Sequence, residues 1–367
     1  EVRNLDAWVH GFMRAHKLEH RIVYDRKQDG ARQAWEAAMA VRDTSPDLPD
    51  NFYQEELDQV VLAQGISTRD DYRTARRTGR GTILSRSRRD AIWPVFEEYR
   101  GQLSSRKLKE VDDAYREVAE LLGKEARAPD YSCVVIDETQ DFGPQALRLI
   151  RAMVPVGVNN LFFVGDGHQR IYSRNRAAMS KCGIEIRGRS KKLYLNYRTT
   201  DEIRRQAVAL LEGCEVDDLD DGHDENRRYK SLSHGPAPEI VSTSGLEDAA
   251  QEAIRFIEAA RSASSLSTSP SICVIASSEK SRDAMSTQLK ESGLVGVTIS
   301  AQSNHSDARD VIHFATMHRA KGLEFDDVIV VVPRSYLGNV EETQSQRRLL
   351  YVALTRARSG VMLLTIH

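Results

Sequence analysis

The residues best placed to do chemistry are DETQD at 137–141, directly behind the apolar run Cys133-Val134-Val135-Ile136, and VGDGHQRIY at 164–172, behind a second apolar run. In an open parallel sheet the ligand crevice lies outside the carboxyl ends of the strands, so acids in these positions stand where a Mg²⁺-nucleotide would lie. A first acid can hold Mg²⁺ through water, because that ion keeps much of its hydration shell, and a second can orient the attacking water. Asp137 and Glu138 fit these two roles. Phosphoryl transfer needs little beyond positioning and charge neutralisation, so such a pair suffices only where phosphates are held beside it. Nucleotide hydrolysis is the first expectation. An acidic pair behind a strand also serves as a plain loop start or helix cap, so the rest of the chain must decide.

These acids need a sheet to hold them. From Tyr131 onward, short β-branched runs alternate with amphipathic stretches, the pattern of a parallel sheet covered by helices. The runs predict strands at 133–136, 161–164, 192–195, 239–242, 272–276, 311–315, 328–332 and 361–365, with helices between them at 201–211, 246–260, 280–291 and 344–356. Upstream, 5–17 reads as a helix with Leu5, Trp8, Val9 and Phe12 on one face. The stretch 20–125 is expected to be mostly helical with no strand in it. The serine-rich segment 262–271 and the acidic segment 212–225 read as linkers, and there is no internal repeat.

With 367 residues, 40% of them hydrophobic and 29% charged, the chain can build two or three compact cores. It has no run of eighteen apolar residues and no charged-then-apolar leader at Glu1-Val2-Arg3-Asn4, so a cytoplasmic location without a membrane partner is expected. Cys133, Cys182, Cys214 and Cys273 form no CxxC pair, which argues against a zinc site and a disulfide framework; Cys133 and Cys273 are expected in the core. The formal charge of −2 conceals an uneven distribution: twelve Lys or Arg against six acids from Arg69 to Glu110, and eight acids with no Lys or Arg from Glu212 to Glu225. The basic stretch suits nucleic-acid phosphates, or equally a solvated helix face.

Five segments in order, DETQD at 137, VGDGHQRIY at 164, LYLNYR at 193, TMHRAKGLEFDDVIVV at 316 and RRLLYVALTRAR at 347, resemble the motifs of the UvrD/Rep family of superfamily 1 DNA helicases. The resemblance runs from about Tyr131 to the end, with weaker echoes at 2–12 and at 80–99, where TILSRSRRDAIWPVFEEY resembles a first-lobe insertion. It implies an α/β fold of two RecA-like parallel-sheet lobes of the P-loop NTPase type, the first incomplete and carrying a helical insertion. On this plan 1–20 belongs to the first lobe, 21–125 is the mostly helical insertion, 126–195 completes the first lobe, and 196–367 is the second lobe with a reduced or absent insertion. The implied cofactors are ATP and Mg²⁺.

Carried across residue by residue, the resemblance makes Asp137 the Mg²⁺ ligand and Glu138 the water-activating base. Gln140 and Asp141 couple them to the motif around Asp166 and Gln169, with Gln169 sensing the γ-phosphate. Tyr197 stacks on adenine, Arg198 reaches the γ-phosphate, and Arg356 is a second arginine finger. Lys321, Gly322 and Glu324 lie near the nucleotide, with Glu324 towards the ribose, while Tyr172, Arg174, Thr316 and His318 face the nucleic acid. The chemistry agrees with these roles, since a planar guanidinium suits charge developing on a transferred phosphoryl group, and aromatic residues beside cations stack bases without regard to sequence. The implied activity is ATP-driven 3′-to-5′ movement on single-stranded DNA with unwinding at duplex–single-strand junctions, of the kind used in DNA repair, with a protein loading partner left unidentified.

Three departures qualify it. No GxxxxGK[ST] loop occurs; the one Gly-Lys step, Gly123-Lys124, is followed by Glu125. Without that loop there is no backbone cradle for the phosphates, so the chain reads as the downstream part of a longer helicase and is expected to hydrolyse ATP poorly or not at all by itself. Arg174 stands where the family usually has tryptophan, and a guanidinium plane replaces an indole only in part. The interval from Arg198 to Thr316 is too short for a large second-lobe insertion, which bears on strand separation more than on movement. The alternatives are a catalytically silent nucleic-acid-binding or scaffold subunit with the helicase shape, and the motor of a helicase-nuclease.

Overall fold

A computed structural model describes residues 1–77, 80–124, 131–171, 178–214, 216, 219, 229–263, 269–300 and 311–367. By contact density the chain divides into two units. The first comprises Glu1–Asp166, Tyr172–Gly188 and Leu219–Asp221, and the second Gly167–Ile171, Arg189–Asp218 and Gly222–His367.

The first unit begins with α1 (Leu5–Ala15), capped by Asn4 Oδ1, which accepts from the Asp6 and Ala7 N–H groups. Helices α2 (Asp29–Ala40), α3 (Asp50–Glu56), α4 (Arg69–Thr74) and α5 (Arg86–Ser105) then pack around Phe52, Tyr53, Leu57, Tyr72, Trp93, Phe96 and Tyr99. The helical expectation for 20–125 is corrected in one respect: β1 (Arg21–Val23) and β2 (Leu108–Glu110) pair in parallel inside it. Helices α6 (Val111–Lys124) and α7 (Pro144–Ala152) pack with α1 through Val9, Met13, Tyr115, Val118, Ala146 and Leu149. Beside them β3 (Val134–Ile136) pairs in parallel with β4 (Leu161–Phe163).

Because strand side chains alternate between faces, Val134 and Ile136 turn towards the α1–α6–α7 side and Leu161 and Phe163 pack with Leu147, while Val135 and Phe162, partners in register, point outward and are 67% and 60% exposed. Cys133 is likewise exposed, not in the core: it precedes β3 and no element covers it.

In the second unit, β5 (Leu195–Asn196) pairs with β6 (Lys230–Ser231), and α8 (Asp201–Leu210) is capped by the Thr200 hydroxyl. The strand expected at 192–195 is thus shorter and displaced. The main sheet contains β7 (Glu239–Thr243), β8 (Ile272–Ala276), β9 (Gly296–Thr298), β10 (Ile312–Thr316), β11 (Phe325–Pro333) and β12 (Ala357–Ile366). Their order is β7-β12-β11-β8-β10-β9, with every pairing parallel.

Alternation divides the buried residues of this sheet between two cores. Cys273, Ile275, Val328, Val330 and Leu363 meet α8 and α12 (Val340–Leu354) on one face. Ile272, Val274, Ile329, Val331 and Leu364 meet α9 (Leu246–Ala263) and α10 (Glu279–Glu291) on the other. Burial on both faces is why these strands read as continuous apolar runs. The fold is mixed α/β with parallel sheets. No described helix is long and apolar enough to cross a membrane.

The basic stretch from Arg69 to Glu110 is largely neutralised within the unit. Glu56, fully buried, receives Arg77 at 2.7 and 2.8 Å, Arg80 at 3.3 Å and the Tyr72 hydroxyl at 2.8 Å. Arg73 pairs with Asp70 and Asp90, Arg100 with Asp113, Lys107 with Glu19, and Lys109 with Glu117. Arg89 Nη1 donates to the carbonyls of Tyr72, Arg73 and Ala75, closing the end of α4. Arg76, Arg86, Arg88 and Arg106 are exposed and have no ion pair among the described residues, Arg106 bonding only Gln102 and Ser105. Much of the local charge excess is thus matched by acids within the unit. Most of the linker segments 212–225 and 262–271 lie outside the described residues.

Candidate functional site

In the first unit the turn behind β3 is bound tightly to the end of β4. The Val164 N–H donates to Ile136 O at 2.8 Å, and Thr139 returns two bonds to Val164 O, from its N–H at 3.0 Å and its hydroxyl at 2.7 Å. Asp137 stands exposed at the strand end, its Oδ1 accepting from the Glu138 N–H at 2.8 Å. Glu138 has φ 52° and ψ 40°, a left-handed conformation that costs a side-chain-bearing residue about 1–2 kcal/mol. It persists because the bonds on either side fix the turn, and it aims the carboxylate at Gln140. Gln140 is buried, donates through Nε2 to the Glu138 carboxylate and accepts at Oε1 from the Asp166 N–H at 3.0 Å. Gly165 makes this approach feasible, since a Cβ there would lie 2.8 Å from Gln140 Oε1.

Gln140 thus bridges the Glu138 side chain and the Asp166 backbone. No group of three or more potential metal ligands forms among the described residues. An exposed carboxylate at a strand end suits Mg²⁺, which takes one or two carboxylates and completes its shell with water and phosphate.

The second unit gathers the cations. Arg356, at the end of α12, is 1% exposed; its Nε donates to Val352 O at 2.9 Å and its Nη2 to Thr355 Oγ1 at 3.3 Å and Gln169 Oε1 at 3.2 Å. Lys321 Nζ donates to Gln169 O at 3.3 Å. His168, beside Gln169, stacks on Tyr351 of α12 with centroids 5.7 Å apart. The loop 321–324 is held against the end of α12 by the Phe325 N–H, which donates to Arg356 O at 3.0 Å. Gly322 has φ +82°, the left-handed region open to glycine, and nothing lies within 4 Å of where its Cβ would stand.

Glu324 in this loop pairs through Oε1 with Arg198 Nη2 at 2.5 Å and through Oε2 with Arg358 Nη2 at 2.9 Å. Tyr197 is 74% exposed. Thr316 is buried at the end of β10, and His318 follows on the short helix α11 (Met317–Ala320). Partial burial, then Arg319 and Lys321, hold the His318 imidazole below its ordinary pKa.

The family models match on both sides of this architecture. That of the UvrD/REP helicase N-terminal domain matches residues 13–182, and that of the UvrD-like helicase C-terminal domain matches residues 312–364. The chain belongs to the UvrD/Rep helicase family. The UvrD/Rep chain also has a likeness among solved structures to the C-terminal domain of a possible DNA helicase from Lactobacillus plantarum WCFS1, with 24% identity, 47% of this chain and 88% of that one covered, and a TM-score of 0.34. No curated protein matches it.

Within this UvrD/Rep chain, the described candidates fall into two sets. Asp137, Glu138, Gln140 and Asp166 form one in the first unit; Gln169, Tyr197, Arg198, Thr316, His318, Lys321, Gly322, Glu324 and Arg356 lie in the second. Tyr172 and Arg174 lie outside the described residues. Sequence reasoning missed Arg358, whose signal was its place two residues after Arg356, and His168, present in GDGHQ with its stacking on Tyr351 unreadable.

Proposed function

We propose that the chain is the greater part of an ATP-dependent DNA helicase that moves 3′ to 5′ on single-stranded DNA, with its two units acting as RecA-like lobes. The observation that carries this reading is the Glu138–Gln140–Asp166 chain, which holds a strained carboxylate in one orientation and ties it to the next motif. Such preorganisation is what a water-activating base needs, because phosphoryl transfer depends on position and charge. Asp137 would hold Mg²⁺ through water; bound there, the ion neutralises phosphate charge. Glu138 orients the attacking water and takes its proton, and Gln169, bonded to Arg356, reads the γ-phosphate. Arg198 and Arg356 stabilise charge on the transferred group, while Tyr197, exposed and beside Arg198, stacks on adenine. Lys321, Gly322 and Glu324 complete the nucleotide contacts, and Tyr172, Arg174, Thr316 and His318 serve the DNA strand.

An incomplete first lobe is supported by β3 and β4. A two-stranded parallel sheet is not stable alone, and parallel sheets are normally covered on both faces. Here Val135, Phe162 and Val164 are exposed on the uncovered side, the surface that a preceding strand and phosphate-loop helix would fill. The test is ATP hydrolysis by the chain joined to its upstream coding sequence, with and without a poly(dT) strand. Stimulated turnover is expected. Strand binding without turnover would favour a silent scaffold subunit.

A further inference from the structure

Glu324 is held by two guanidiniums that differ in how they are fixed. Arg198 reaches Glu324 Oε1 from a segment whose backbone is secured separately: its N–H donates to Asn196 Oδ1 at 2.8 Å. Among the described residues Glu324 is its only ion-pair partner, and the side chain is 43% exposed. Arg358 donates to Glu324 Oε2 from both Nε, at 3.2 Å, and Nη2, at 2.9 Å. Its Nη1 also lies 3.7 Å from Asp326 Oδ1, and Asp326 is itself pinned, its Oδ2 accepting from the Ser271 N–H and hydroxyl at 2.9 Å each. Both side chains are about half exposed, but Arg198 is held by one carboxylate oxygen, whereas Arg358 meets Glu324 through two nitrogens and Asp326 through a third.

We propose that Glu324 is a two-cation latch, parking Arg198 until a nucleotide γ-phosphate draws that guanidinium away, while Arg358 is the positioning residue that keeps the carboxylate in place. The proposal rests on the nucleotide-hydrolysing reading. An ion pair this exposed gains little in water, so a triphosphate, with more charge and more acceptor oxygens than one carboxylate, can compete for Arg198. When Arg198 leaves, Arg358, bonded to Glu324 Oε2 through two nitrogens and close to Asp326, stays as the cation on the carboxylate. Removing Arg358 leaves Arg198 as the only cation on Glu324 and holds it more firmly. Neutralising Glu324 releases it.

The latch is first tested without nucleotide, by the rate at which phenylglyoxal modifies Arg198 in the full chain, followed by peptide mass spectrometry. Glu324→Gln is expected to speed labelling of Arg198 at least threefold, Arg358→Ala to slow it about twofold, and the double variant to behave as Glu324→Gln alone. Unchanged labelling in both single variants overturns the latch whatever the nucleotide chemistry. The second measurement compares fluorescent ATP and ADP analogues on the chain with its upstream segment. Arg358→Ala is expected to weaken the ATP analogue about threefold more than the ADP analogue, a difference that general loosening would not produce. Equal losses for both overturn the positioning role. Labelling in the expected order with no binding of either nucleotide removes the γ-phosphate as the opener and overturns the proposal in that half, which identifies the nucleotide reading as the part that failed.

Discussion

Gln140 joins Glu138 side chain to side chain, its Nε2 donating to the carboxylate while its Oε1 is taken by the Asp166 N–H. Both ends of one buried amide are thus committed, and the direction of each bond fixes which end faces Glu138. Gln140→Ala removes both bonds and leaves the Asp166 N–H unsatisfied, at about 1–3 kcal/mol of stability. In the hydrolysing protein it is expected to lower turnover by about 10²-fold with a smaller change in nucleotide affinity, because it frees the base without removing a phosphate contact. Steady-state kinetics beside a denaturation curve check both numbers.

Glu56 is the buried centre of the arginine cluster. Glu56→Ala leaves Arg77, whose side chain is 6% exposed, without its carboxylate and Arg80, 8% exposed, with Glu55 alone, and is expected to destabilise the first unit by about 3–5 kcal/mol. Double variants that also replace both arginines with apolar residues should regain much of that loss, measured by urea unfolding.

Asp327 opens a pH dependence. Burial, and then Asp326, push its carboxyl up to about 6 from an ordinary 3.8. A carboxyl whose pKa is raised on folding binds its proton more tightly in the native state, so stability falls as pH rises from about 3.8 and the full penalty is present above about 6. Asp327→Asn should therefore stabilise the protein at pH 8, by about 1–2 kcal/mol after solvent screening, with the gain shrinking towards pH 4. Thermal melts at the two pH values compare directly.

Gly322 tests backbone strain apart from packing. Because open space surrounds its missing Cβ, Gly322→Ala meets no clash, only the left-handed φ, and should cost about 1–2 kcal/mol locally. The loop carrying Lys321 and Glu324 is expected to shift, seen as weaker nucleotide binding with little change in global unfolding.

The exposed arginines of the basic stretch without an ion pair test whether it meets nucleic-acid phosphates. Replacing Arg76, Arg86 and Arg88 together with alanine should reduce the salt dependence of single-strand binding by a slope of about 2, from roughly 0.7 per phosphate contact. Replacing Arg77 and Arg80 should leave that slope unchanged, because Glu56 already neutralises them.

The strands of the main sheet were legible because burial on both faces leaves a continuous apolar signature, as in Ile272–Ala276. Arg21–Val23, Leu108–Glu110 and Gly296–Thr298 are three residues each, too short for a period to emerge beside long helices or at a sheet edge. The charge reading of 69–110 missed its neutralisation because Glu19, Glu55, Glu56, Asp113 and Glu117 lie outside that window and return only through folding. The place of Asp137 and Glu138 directly after β3 was legible from the apolar run before them. The left-handed turn at Glu138 was not, since no glycine marks it, and neither was the pair between Glu324 and Arg358, 34 residues apart.

The central claim is that Glu138 is the base of an ATP-hydrolysing motor, and the most direct measurement is single-stranded-DNA-stimulated turnover of Glu138→Gln in the chain joined to its upstream segment. The account predicts that turnover is abolished while ATP still binds with near-normal affinity. Undiminished turnover in that variant would contradict it.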